Sequence, residues 1–568
     1  MKRKVFAFVL PVCAALVLSG CSKMGELTAD NFSVDPQPLE TVGSEVPYTI
    51  NGRFPAKWMK KKAVVTVTPE LRYEGGKTVG ASQTFQGEKV AGNNQTISYR
   101  IGGNYTMRGS LGYVDAMMES DLYATFSAKK GKKTVEIPDV KIGYGVIATS
   151  TLARRIIAGQ GGVMAQDAYQ HVIEQKQEAN IRFLIQQSKI RTSELETQSV
   201  QEFIETLHQI QADRDRHEIE SVDVSAYASP DGGLALNQGL AQDREKATND
   251  YVQSQLDQNG LRANINSRYT AEDWEGFQQL VEASNIQDKQ VILRVLSMYS
   301  DPEEREQQIR NLSAAFTDLA TEILPELRRA RISVTYDLIG RSDDEIQEQY
   351  RTDASQLSIE ELIYSATLTD EVREQEDIYR TVVRLYPSDY RAYNNLGTLA
   401  WQNGDLQTAK SYYSQAAAKS QSADEANINL ANLALIEGDT EAAEAYLSKA
   451  SNSDEAQQVL GNIYLLQGNY TQAVNAYGRS YTNSAALAQL LTTDYLGSAE
   501  TLSYVQSDDA MTYYLKAVIA ARTNNNSLAV DNLRQAISKD ASLSDYAARD
   551  LEFRKLRQDS TFKILTSN

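Results

Sequence analysis

A thirty-four-residue period in the last third of the chain limits its possible folds more than any other feature of the sequence. Laying residues 389–422 over 423–456 sets Leu396, Gly397, Gly404, Ala409, Tyr413 and Ala416 on Leu430, Ala431, Gly438, Ala443, Leu447 and Ala450. A third copy follows a linker four residues shorter, with Leu460, Gly461, Tyr464, Gly468, Ala473 and Tyr477, and a fourth is legible at Ala517, Ala520, Ala529, Leu533 and Ala536. A unit this short cannot bury an apolar face alone. Such a unit must stack on its neighbours, with small residues permitting close approach and large ones filling the grooves between units.

These spacings resemble tetratricopeptide repeats (TPRs). The resemblance implies an all-α TPR solenoid over residues 342–545, without an active site of its own, whose inner helices present a concave surface to peptides or helices of partner proteins. In the family's register the inward positions are Asn394, Thr398 and Trp401, then Asn432 and Leu435, then Asn462 and Leu465. Asparagines so placed resemble those that grip peptide backbone in other TPR proteins; the other reading makes them polar surface of a stacked solenoid. Trp401 is the best single candidate, because a large aromatic facing a groove is unfavourable unless covered. Residues 546–568 read as a C-terminal tail.

Residues 21–147 have a different pattern, with short alternating strands (VPYTINGRF, AVVTVTPELRY, QTISYRI, DLYATFS, KTVEIPDVKI) separated by Gly-Gly, Asn-Asn and Lys-Gly-Lys-Lys turns. This spacing suits an antiparallel β-sandwich. Gly75-Gly76-Lys77-Thr78 resembles the end of a phosphate loop, but Leu71 stands where the first glycine belongs, and a hairpin turn fits better. Residues 148–178 read as a polar linker and helix, interrupted by Gly159, Gly161 and Gly162.

Between these regions, Val222, Val224 and Ala226 alternate into a loop, Asn237-Gln238-Gly239-Leu240 opens a helix, and Arg244 lies four residues past the leucine. This stretch resembles the strand, loop and helix start of OmpA-like peptidoglycan-binding domains, and residues 179–341 are assigned to such an α/β domain with a helical insertion. The resemblance implies that Arg244 holds a carboxylate of the cell-wall peptide and that Asn237 fixes the loop. Where the family has a Thr-Asp pair, this chain has Ala228 and Ser229, so Asp231 is the candidate acid for the ammonium group of the wall's diamino acid. A two-residue shift in a Pro-Asp-Gly-Gly turn either restores or loses that distance. The competing reading makes Arg244 a structural partner and Asp231 a turn residue. The segment from Thr270 to Leu296 resembles the insertion of Bacteroidetes OmpA-like proteins, with Trp274, Phe277 and Leu280 expected to pack it onto the sheet.

The N-terminus suggests a location. Lys2, Arg3 and Lys4 precede an apolar run, Val5 to Leu18, and Leu18-Ser19-Gly20-Cys21 resembles a bacterial lipobox. The resemblance implies cleavage of residues 1–20, acylation of Cys21 and an outer-membrane lipoprotein facing the periplasm. The formal charge of −18 falls to about −21 without the three leader cations, which disfavours nucleic acid as a partner. The three histidines make no metal-ligand or catalytic spacing, so no cofactor, no metal site and no enzymatic activity are expected. The expected role is cell-envelope organisation, with peptidoglycan and envelope proteins as partners. The alternative is an accessory factor of a secretion or assembly machine, with a degenerate OmpA-like module.

Overall fold

The computed structural model describes residues 24–286, 289–311 and 317–567, so the leader segment and Cys21 lie outside the described residues. The chain forms two compact units. One joins the residues up to Gln166 to those from Glu371 onward, and the other is the continuous stretch Asp167–Asp370.

In the first unit, the strands Phe32–Asp35, Glu45–Phe54 and Gly103–Gly112 form one antiparallel sheet. Ala63–Tyr73, Gln83–Gly87 and Ser120–Lys130 form the centre of a second, larger one. Ile50, Phe54, Tyr105 and Met107 from the first share a core with Val65, Leu71, Phe85 and Leu122 from the second. Trp58 stacks on Phe54 with ring centroids 4.8 Å apart, and its Nε1 donates to the Gly25 carbonyl at 2.6 Å. Tyr73 pairs with Gly76 across a two-residue hairpin with Gly75 at φ +80°, which accounts for the Gly-Gly-Lys-Thr stretch. The strand Gly103–Gly112 was not expected, because its three glycines mask the alternation of Tyr105, Met107 and Leu111.

The solenoid begins at the helix Val372–Leu385. It continues with the pairs Arg391–Gln402 and Leu406–Lys419, Asp424–Glu437 and Thr440–Leu447, Asp454–Leu466 and Tyr470–Tyr477, Asn483–Leu491 and Tyr495–Tyr504, and Ala510–Arg522 and Asn526–Lys539. Each turn within a pair repeats one device. A left-handed residue (Gly404, Gly438, Gly468, Thr493 or Asn524) ends the first helix. The next residue is an Asp or Asn, and Asp405, Asp439, Asp494 and Asn525 accept a backbone N–H of the second helix. Between the helices of a pair, a Cβ on Gly461 would lie 2.4 Å from the Tyr477 ring. Gly461→Ala is therefore expected to destabilise the fold by about 1–3 kcal/mol in urea unfolding.

Three expected boundaries move. Asp343–Asp353 and Ile359–Ser365 belong to the central unit rather than the solenoid, capped by Ser342 and Ser358 and tied by Arg341 to Glu361 at 2.8 Å. Residues 546–568 are not a loose tail, because Ala547, Phe553, Leu556 and Phe562 join the core of the last repeats. The strand expected through Ile185 instead spans Val172–Arg182, most of it inside the supposed linker, and Ile185 is exposed.

The sandwich and solenoid are joined through a buried polar cluster. Arg522 donates to Glu552 and, at 2.6 Å, to Glu40; Thr149 donates to Glu552, and Tyr514 donates to Asp550 at 2.7 Å. Burial, with Glu552 adding to it, pushes the Asp550 carboxyl up to about 7, against the opposing pull of the Glu552 backbone N–H, Tyr514 and Arg522. A carboxyl whose folded pKa is raised favours folding at low pH, and this contribution fades as pH climbs from about 4 to the folded value. Asp550→Asn is thus expected to leave thermal stability unchanged near pH 3 and to raise it increasingly between pH 4 and pH 8, by a few kcal/mol, on the order of 3, at the upper end.

In the central unit the strands Val172–Arg182, Arg329–Ile339, His217–Tyr227 and Ile265–Thr270 lie side by side in that order. His217–Tyr227 runs parallel to Ile265–Thr270, and the other pairs are antiparallel. The helices Gln198–Ala212 and Leu234–Gln258 cover one face through Phe203, Leu207, Val252 and Leu256. The inserted helices do not pack onto the sheet core as expected. Phe277 joins Val281, Ile292, Leu296 and Leu324 in a separate cluster, with Trp274 and Leu280 at its margin.

Candidate functional site

The concave face of the solenoid is occupied by the chain's own residues. The helix Leu152–Ala158 lies along the inner helices, with Leu152, Ala153 and Ile156 packed among Leu465, Ala485 and Leu487. Ile157 packs with Ile428, Leu435 and Ile463. Gly159 ends this helix, and residues 159–166 continue as an irregular strap across the first two clear repeats.

The strap is held through its main chain. Asn429 accepts from the Val163 N–H at 2.7 Å, while its Nδ2 donates to the Val163 carbonyl at 2.8 Å. The same carbonyl takes Asn394 at 2.9 Å and Thr398 at 3.1 Å. Asn395 brackets Ala165, accepting from its N–H at 2.8 Å and donating to its carbonyl at 3.0 Å. Trp401 Nε1 donates to the Ala158 carbonyl at 2.7 Å, and Gln160 donates to Ser484 at 3.1 Å. No charged group takes part, because residues 156–166 carry none. Buried amide side chains in pairs satisfy a backbone that would otherwise lose its water partners.

Asn394, Thr398 and Trp401 therefore lie buried in the groove, the first two beneath the strap and Trp401 beneath the end of the short helix. Leu435 and Leu465 cover the short helix. Asn432 and Asn462 are engaged elsewhere. Asn462 donates to Asn432 at 3.0 Å and accepts from Tyr477 at 2.7 Å, which ties neighbouring repeats together. The sequence reading missed Asn395 and Asn429. They stand thirty-four residues apart, so the repeat period itself was the signal that could have found them.

The loop of the central unit is closed by internal bonds. Ser229 donates to Asp231 at 2.5 Å, and Arg328 pairs with the other Asp231 oxygen at 2.8 Å. Asn237 Nδ2 donates to the Gly232 carbonyl at 2.7 Å and so fixes the turn. Arg244 is 1% exposed. Its guanidinium donates to the carbonyls of Tyr227 at 2.9 Å, Gln187 at 3.0 Å and Leu184 at 3.4 Å, beside the Phe183 ring. Burial lowers it to about 10, with Arg328 adding to the effect and Asp231 opposing it. The arginine and the acid that sequence spacing brings together are thus engaged by main-chain carbonyls and by Arg328. Among the described residues, no group of three or more His, Cys, Asp or Glu side chains is placed to hold a metal ion, and no helix is long and apolar enough to cross a membrane.

The tetratricopeptide repeat family model matches residues 376–423 and 395–458, and the C-terminal region carries TPRs. No curated protein matches the chain. Among solved structures, a tetratricopeptide repeat protein from Parabacteroides merdae is 14% identical, with 46% of this chain and 98% of that one covered at a TM-score of 0.30. The APC/C hetero-tetramer Cut9–Hcn1 is 15% identical over 59% of this chain and 73% of that one, at a TM-score of 0.31. Pseudomonas aeruginosa pilF is 14% identical over 39% of this chain and 100% of that one, at a TM-score of 0.27.

Proposed function

We propose that this chain is a non-enzymatic, lipid-anchored outer-membrane protein that works by holding protein partners, as an accessory factor in assembling or organising the cell envelope. The repeats suggest protein–protein interaction. The observation that carries the reading is the set of amide side chains on the inner helices that grip main-chain N–H and C=O groups. The lipid anchor rests on the lipobox at Cys21, and the central unit reads as an OmpA-like module inserted between strap and solenoid. Cys21→Ser is expected to move the protein from the membrane fraction to the soluble envelope fraction; unchanged fractionation would remove the anchor from the proposal.

A tether to peptidoglycan is the second reading, favoured by Asn237 fixing the loop as the family resemblance implies. The engagement of Arg244 and Asp231 speaks for the assembly role over the tether. Sedimentation of the mature chain with purified peptidoglycan separates the two. The protein is expected to stay in the supernatant, and co-sedimentation that Asp231→Ala abolishes would establish the tether instead.

A further inference from the structure

The strap has a feature that a merely structural linker does not need. Gly162 adopts φ +79°, and a Cβ there would lie 2.5 Å from the Tyr413 hydroxyl and 3.4 Å from both Asn429 Oδ1 and Thr398 Oγ1. Any L side chain would be strained by the backbone and would meet three buried polar atoms. Tyr413 cannot easily retreat, because its ring fills the space beside Gly397 and its hydroxyl is within 3.1 Å of Thr398. Gly161 is also left-handed, at φ +80°. Next to these glycines, every atom the groove reads at Val163 and Ala165 is main-chain. The site therefore reads backbone through the asparagines and reads the absence of a side chain through Tyr413.

We infer that the groove over the first two clear repeats is a glycine-selective site for irregular peptide backbone with a left-handed turn, occluded in cis by residues 158–166. The strap is the committed occupant because it is seated there and satisfies the amides in pairs. A segment in trans competes only if it carries glycine at the Gly162 position, since a β-carbon there meets Tyr413. Attachment at both ends keeps the strap at an effective concentration of about millimolar, so a free peptide binds measurably only when the strap is weakened. With no charge in the strap, the contact is insensitive to salt.

The test uses the full mature chain and a fluorescent synthetic peptide of residues 158–166. The Gly162→Val variant, whose own strap no longer fits, is expected to bind the peptide at least about tenfold more tightly than wild type. A peptide with valine in the Gly162 position should not bind the variant. Equal affinity for the two proteins, or no binding to a folded variant, would overturn the inference. Should the variant fail to fold, wild type decides. Protease cleavage within the strap should be slow and should accelerate with excess wild-type peptide but not with the valine peptide. Cleavage indifferent to both peptides, or equally sensitive to both, would refute glycine-selective occlusion.

Discussion

Arg522→Ala is expected to destabilise the sandwich–solenoid unit by about 3–5 kcal/mol, because it removes the cation that the buried Glu552 shares with the half-buried Glu40. Glu552 is only 4% exposed in its side chain, and it faces Arg522 Nη2 at 2.5 Å and Thr149 at 2.5 Å. Glu40 reaches the same guanidinium from the N-terminal sandwich at 2.6 Å. Without the arginine, Glu552 keeps the Thr149 hydroxyl but loses its charge partner, beside Asp550, whose carboxyl is already pushed up by burial. Desolvating an unpaired carboxylate costs more than the pair contributes, so deletion of one partner should be far more harmful than joint replacement. Arg522→Met combined with Glu552→Leu is expected to recover most of the loss. Urea unfolding of the two variants measures this directly, and a loss below about 1 kcal/mol for Arg522→Ala would mean that the joint is wet.

The second large effect is expected at Arg244. Truncation to alanine leaves the carbonyls of Leu184, Gln187 and Tyr227 without their shared donor and opens a cavity beside Phe183. The loss of these bonds and of the buried guanidinium's volume beside Phe183 should weaken the central unit by about 3 kcal/mol. Lysine should not rescue it, since an ammonium cannot reach carbonyls in three directions as a planar guanidinium does. Amide exchange along His217–Tyr227 should accelerate in both variants. Exchange unchanged in Arg244→Ala would mean that the residue is not structural and is available to a ligand.

This outcome bears on what could be read from sequence. The spacing of Asn237 and Arg244 is a local property of one helix, and it was legible. Whether Arg244 meets a ligand carboxylate or the protein's own carbonyls depends on residues 184–187, brought in from the end of a different strand, and no local pattern encodes that. The solenoid was legible for the opposite reason. Its contacts repeat with the chain, so the small positions at Gly397 and Gly461 and the tyrosines at Tyr413 and Tyr477 recur at the repeat period.

The strap was not legible. Gly159, Gln160, Gly161 and Gly162 have no periodicity and the composition of a flexible linker, and the Val163 and Ala165 that follow are held by asparagines 230 to 266 residues away in sequence. The helices after Ser342 were mistaken for solenoid because an acidic run looks the same whether it solvates a surface or opens a capped helix.

Amide hydrogen exchange at Val163 and Ala165 in the intact protein tests the central claim most directly. Both N–H groups donate to buried asparagines, so they are expected to exchange at least about a thousandfold more slowly than an unstructured peptide of the same sequence. Exchange at the unstructured rate would show that the groove does not hold its own strap, contradicting both the backbone-gripping site and its occlusion.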